Sequence, residues 1–204
     1  EKLILVDIVC QGVPAPYIWR DYLTYLEKNY KQPIVEVNFR DKSRVGWNEH
    51  IESFVFQDGS KKEFNTYTYL FYRHIMLRPS CSKCHYTNFN RPSDFTLADY
   101  WGWKKLSPDF NKDNKGCSLL FVNTEKGLEI FEKRKEELNY LATNQELCIQ
   151  PNLQQPSKFD TQWIEFEKLY KKQGCAAVAK RYGNLGWRYI LRQKKQAIKQ
   201  YIRR

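Results

Sequence analysis

Six cysteines fall at Cys10, Cys81, Cys84, Cys117, Cys148 and Cys175. Two of them, in Cys81-Ser82-Lys83-Cys84, have the C-x-x-C spacing that lets two thiolates face one metal or cluster. Arg78 and Pro79 precede the pair, so the turn is rigid and electropositive, and His85 follows directly. An electropositive turn favours thiolate, the form used in metal and redox chemistry. The competing reading is a pair of incidental thiols in a turn, and the spacing alone leaves both open. A thioredoxin-type dithiol fits less well, because no helix opens at the motif after a buried strand.

Cys10 adds a third thiol. It opens the loop Cys10-Gln11-Gly12-Val13-Pro14-Ala15-Pro16, which leaves a strand-like run from Leu3 to Val9. Functional residues often sit where a strand ends in a Gly/Pro loop. The plainer alternative is a small buried residue at a strand end. Cys117, Cys148 and Cys175 have no partner spacing and read as structural. Arg78, Arg91, Asp94 and Asp99 flank the C-x-x-C in sequence. Arginines there would hold a cofactor phosphate or stabilise a reduced cluster. Taken alone, the four residues read first as an ion-pair network ordering two loops. Trp101 and Trp103 have the ring size to stack on a flavin, but large aromatics read first as core. His50 and His74 read as structural, and neither a Gly-x-Gly-x-x-Gly nor a P-loop occurs.

These residues need elements to position them. Leu3 to Val9 reads as a buried strand. Tyr17 to Tyr30 carries helical periodicity through Ile18/Trp19, Tyr22/Leu23 and Leu26, with Pro16 at its start and Pro33 beyond its end. Ile34 to Phe39 and Ile51 to Phe56 read as strands, and Asp58-Gly59 is a hairpin signal. Tyr67 to Leu77 predicts a helix running into the C-x-x-C turn. Phe95 and Leu97 alternate with Asp94, Thr96 and Asp99 as in a strand, and Ser118 to Val122 is another. Asn123-Thr124 caps a helix from about Glu125 to Leu141, with Leu128, Phe131, Leu138 and Leu141 inward. Pro151 to Pro156 reads as an extended linker, and Asp160 caps a last helical region with Trp163, Phe166 and Leu169/Tyr170 on one face. The expected fold is α+β, a mixed and partly antiparallel sheet flanked by helices, with a helical basic C-terminal appendage. The expected organisation is a main domain over residues 1–150, and a linker and appendage over 151–204.

Composition bounds the function. The chain has 204 residues, of which 42% are hydrophobic and 16% aromatic, as in a folded globular protein. No apolar run approaches the roughly 20 residues of a membrane span, and no apolar stretch follows a basic start as in a signal peptide. The expected compartment is reducing and cytoplasmic. The net charge of +11 suggests nucleic acid, but its distribution argues otherwise. Residues from Lys158 onward hold 13 Lys/Arg against 3 Asp/Glu, so the preceding body carries only +1. The tail reads first as a solvated helix, next as an attraction to an anionic membrane or lipid-linked substrate, and last as a nucleic-acid contact. A strand-like run beginning almost at residue 1 suggests a fragment whose partner residues lie upstream.

Taken in order, several segments resemble the beta-subunit family of coenzyme F420 hydrogenase and dehydrogenase. They are Asp7-Ile8-Val9-Cys10-Gln11-Gly12-Val13-Pro14, Phe39-Arg40-Asp41-Lys42, Leu77-Arg78-Pro79-Ser80-Cys81-Ser82-Lys83-Cys84 and Arg91-Pro92-Ser93-Asp94-Phe95-Thr96-Leu97-Ala98-Asp99-Tyr100-Trp101-Gly102. Lys115 to Thr124 and Pro151-Asn152-Leu153 fit as well. The resemblance is strongest to a bacterial branch found with polysaccharide biosynthesis proteins. It implies an oxidoreductase with FAD and a four-iron four-sulfur cluster, passing electrons between the cluster and a flavin or deazaflavin. Cys10, Cys81 and Cys84 would be cluster ligands, with the fourth thiolate from a Gly-Thr-Pro-Cys-type loop upstream. Gln11 stands where the family commonly has His, and Ala98 where it often has Gly. The implied partners are that upstream segment and a redox partner protein or flavin. An isolated fragment would be inactive and would hold either no metal or a zinc on three cysteines with His85 or water. The alternative is a non-redox module, with a structural zinc or plain thiols, serving surface polysaccharide biosynthesis.

Overall fold

A computed structural model of the chain describes residues 3–47, 49–185 and 191. Among these the strands are β1 (Val6–Ile8), β2 (Ile34–Asn38), β3 (Glu52–Phe56), β4 (Lys61–Phe64), β5 (Phe95–Asp99) and β6 (Ser118–Val122). The helices are α1 (Pro16–Tyr30), α2 (Thr66–Tyr72), α3 (Trp103–Leu106), α4 (Glu125–Arg134), α5 (Gln145–Cys148) and α6 (Trp163–Arg181). The strands form two three-stranded sheets, so the fold is α+β. The chain makes two compact units: Glu1–Gly12, Gly46–Asn48 and Pro79–Ser157 form one, and Val13–Val45, Glu49–Arg78 and Lys158–Arg204 the other.

The second of these units is built on the antiparallel order β2-β3-β4. Gly59, at φ 81°, turns the chain between β3 and β4, a left-handed conformation that glycine adopts without strain. Helix α1 begins with Pro16 and ends at Lys31 in the left-handed region, just before Pro33. Its buried residues Ile18, Tyr22 and Leu26 lie four apart, the stripe that faces a core. Phe54, Phe56, Leu70, Phe166 and Val178 complete that core. Glu52 is fully buried within it. Its carboxyl accepts from Thr68 N at 2.6 Å, from Thr68 Oγ1 at 2.5 Å and from the Tyr22 hydroxyl at 3.3 Å. It thereby satisfies the first turn of α2, where Asn65 makes no side-chain cap. Burial raises the pKa of Glu52 and, with Glu52 beside it, that of Tyr22.

Helix α2 stops at Tyr72, short of the expected Leu77. His74 takes a left-handed φ of 54°, and its Nδ1 lies 3.0 Å from the Lys158 carbonyl. Arg73 donates to Asp160 Oδ2 at 2.8 Å and to the Tyr182 carbonyl at 2.5 Å. These contacts turn the chain out of the helix while Ile75, Met76 and Leu77 stay buried.

The other unit holds the order β1-β5-β6, with β5 parallel to β1 and antiparallel to β6. Asp94 joins its parts. Asp94 accepts from Leu5 N at 2.9 Å, Thr124 Oγ1 at 2.7 Å and Lys126 Nζ at 2.8 Å. These bonds, led by the Leu5 amide, hold its carboxyl down at about 2. Thr124 caps α4 by accepting from Gly127 N, as its position before the helix predicts. A smaller core gathers Trp47, Tyr100, Trp103, Cys117, Leu119 and Cys148.

Three expectations change here. The run Leu3–Ile8 is not buried: β1 is an edge strand, and Leu3, Val6 and Ile8 are 55–61% exposed. Helix α4 ends at Arg134, and after a 3-10 turn over Lys135–Glu137 the chain becomes extended, leaving Leu138 and Leu141 exposed rather than inward; Leu128, on α4 itself, is exposed too. Pro151–Leu153 is a 3-10 turn with Leu153 buried, not an extended linker. The tail's residues from Trp187 onward are expected to place Trp187, Ile190/Leu191, Ile198 and Tyr201/Ile202 near one side; of these only Leu191 is among the described residues, and it is exposed. No described helix is long and apolar enough to cross a membrane.

Candidate functional site

Cys81 lies on a short 3-10 helix, Pro79–Lys83, and Cys84 is the first residue beyond it. Ser82 Oγ closes the turn on the Pro79 carbonyl at 2.9 Å. Thr87 Oγ1 and Asn88 Nδ2 donate to the Cys84 and His85 carbonyls at 3.3 and 2.8 Å. The loop is thus ordered by its own short polar side chains, and both thiols keep partial access to solvent.

Cys10 follows β1 and is exposed. Val9 still pairs with β5, donating to the Leu97 carbonyl at 2.8 Å, and Ser157 Oγ donates to the Gln11 carbonyl. Backbone on either side of Cys10 is therefore anchored. The other three thiols are buried. Burial pushes Cys175 up to about 12 and raises Cys117 and Cys148 as well, which makes them inert.

Four thiolates normally hold a cubane cluster. Among the described residues no three His, Cys, Asp or Glu side chains are gathered closely enough to hold a metal ion. The donor chemistry of Cys81 and Cys84 suits two cluster positions, but the residues gathered here do not close such a site.

The four charged candidates divide. Arg91 has a side chain only 3% exposed, and its Nη1 lies 3.5 Å from Asp7 Oδ2. Its Nε and Nη2, and Asp7 Oδ1, are buried with no hydrogen-bond partner. Asp94 is taken up by the contacts that join β1, β5 and α4. Asp99 accepts from Trp47 Nε1 at 3.5 Å. Arg78 belongs to the other unit, where its backbone N–H bonds the Val13 carbonyl and its side chain is exposed. Trp103 is core and Trp101 is 54% exposed, its ring tilted against Trp47 at 5.1 Å.

Two features were missed in the sequence. Asp7, the acid facing Arg91, stood as a lone charge in an apolar strand, and that was its signal. A cavity of about 650 Å³ also opens in the Pro79–Ser157 part of this unit. Its walls come from residues at no regular spacing, so no motif announced it.

An α+β domain with an accessible thiol pair on a tight turn has the donors of an oxidoreductase module. Residues 1–146 match the family model that describes the C terminus of the coenzyme F420 hydrogenase/dehydrogenase beta subunit, and the chain belongs to that family. No curated protein and no solved structure matches the chain.

Proposed function

We propose that the chain is the C-terminal domain of an electron-transferring oxidoreductase subunit. In this reading Cys81 and Cys84 supply two thiolates to a four-iron four-sulfur cluster, Cys10 supplies a third, and the set is completed from a further segment of the same protein. The two partly exposed thiols at and just beyond the Pro79–Lys83 turn, inside the family-matched residues, carry the reading. A cluster bound there supplies one-electron transfer to and from the flavin or deazaflavin of the family's chemistry. The chain's own part is to orient the thiols. The Ser82, Thr87 and Asn88 bonds hold the loop, and the pairing of Val9 with β5 holds the strand that leads to Cys10. Cys10 is exposed, and Cys81 and Cys84 are partly exposed.

The test is anaerobic expression with the native flanking sequence, followed by iron, sulfide, zinc and flavin analysis. About four iron and four sulfide per chain, with visible absorbance lost in Cys81→Ser and Cys84→Ser, is the expected result. A preparation with neither iron nor flavin overturns the proposal. One zinc per chain in place of iron converts the site to a structural one.

A further inference from the structure

The cavity of about 650 Å³ is the size of a small-molecule site. It lies among β5, α3, β6, α4 and the segment that leads from Leu138 into α5. Aromatic rings from four of these elements form its walls, including Tyr100, Trp103, Phe121, Phe131 and Tyr140. They are mutually braced: Phe131 meets Tyr140 edge-on at 5.3 Å, and Phe89 meets Phe121 edge-on at 5.7 Å. The segment closing one side is pinned. The Tyr100 hydroxyl lies 3.1 Å from Thr143 Oγ1 and 3.4 Å from the Leu147 carbonyl, while Asn144 caps α5 by accepting from Leu147 N.

Charge decides the ligand class. None of the described residues lining the cavity is Asp, Glu, Lys, Arg or His, in a chain that is 28% charged. A dinucleotide would bring a diphosphate with no cation to meet it, and a fatty acid would bring an unpaired carboxylate. The polar groups present are neutral: Ser107, Asn139, Thr143 and Gln145 among them, while Asn123 Nδ2 already donates to Thr96 and Ser93. Amide N–H groups beside flat aromatic walls suit a planar, uncharged ring bearing carbonyl oxygens.

We propose that this cavity binds a neutral quinone. The choice of a redox-active ring rests on the oxidoreductase reading, whereas the neutrality of the ligand rests on the lining alone. The probe is duroquinone, whose fully substituted ring cannot alkylate cysteine, titrated calorimetrically into the chain. Saturable one-to-one binding is expected. Ala142→Phe, on the exposed segment that closes the cavity, and Phe131→Asp, which puts an anion in its wall, should each weaken binding about tenfold or more. Unchanged far-ultraviolet circular dichroism establishes that each variant is folded. Absence of saturable binding overturns the proposal, as does affinity unaltered in both variants or tighter binding of FAD or laurate than of duroquinone. Because binding needs no cluster and no turnover, its failure is separate from that of the electron-transfer reading.

Discussion

Gly116 is a position where one added methyl group has a calculable effect. Its φ of 98° lies in the region that L residues avoid, and a Cβ built there would sit 2.2 Å from Cδ1 of Trp47. That distance is far below van der Waals contact, so the indole must move. Trp47 is nearly buried, tilts against Trp101 and reaches Asp99 through its N–H, so a displacement spreads into the core beneath the cavity. The backbone conformation costs about 1–2 kcal/mol for a residue with a Cβ. Overpacking adds about 1–3 kcal/mol. Gly116→Ala should therefore destabilise this unit by about 2–5 kcal/mol, a large share of a typical domain's stability. At a urea m-value of about 2–3 kcal/mol/M, the midpoint falls by about 0.7–2.5 M. The two terms separate in a double-mutant cycle with Trp47→Leu, which removes the ring and keeps an apolar side chain. Gly116→Ala should cost only the backbone term in that background, giving a coupling of about 1–3 kcal/mol. Strict additivity, or a loss below about 0.5 kcal/mol in the single variant, would refute the reasoning.

The Arg91–Asp7 pair should behave as a buried ion pair with poor hydrogen bonding. Asp7→Ala leaves the guanidinium uncompensated and should cost about 3 kcal/mol, while Asp7→Leu with Arg91→Met should return urea stability to about that of the parent. Glu52 links stability to pH in a set direction. Its folded pKa is raised by burial, so wild type should lose stability as pH rises from the unfolded carboxylate value through the folded one. Glu52→Gln keeps an acceptor for Thr68 and should flatten that slope and exceed wild type at pH 8; a steeper slope in the variant refutes this. Under native conditions a thiol reagent should label Cys10, Cys81 and Cys84 rapidly and spare Cys117, Cys148 and Cys175 until denaturant is added. Mass mapping that finds Cys175 labelled as fast as Cys84 would contradict the burial.

Local elements were legible where neighbouring residues suffice to specify them. Pro16 and Pro33 bracket α1, and its four-residue stripe needs nothing beyond itself. Asp58-Gly59 specifies a hairpin by turn chemistry, and Thr124 marks the start of α4 by its capping oxygen. The thiol pair was legible for the same reason, since three-residue spacing on a short turn is a local property. Legibility ended where distant residues intervene. The end of α2 depends on Asp160, Lys158 and Tyr182, which arrive from the far end of the chain. The exposure of Leu3, Val6 and Ile8 depends on which strand neighbours β1, and an apolar run reads alike at a sheet edge and at its centre.

By itself, then, the sequence determined the α+β class, the family, a turn at the C-x-x-C of Cys81 and Cys84, and a charge concentrated beyond Lys158. Tertiary structure alone decided that Arg91 faces Asp7 rather than Asp94, that Asp94 joins β1 to α4, and that an uncharged cavity stands among rings scattered from Phe89 to Tyr140. The physical reason is range. Periodicity, capping and turn chemistry act over a few residues, whereas the pairing of charges and the enclosing of space depend on which distant segments folding brings together.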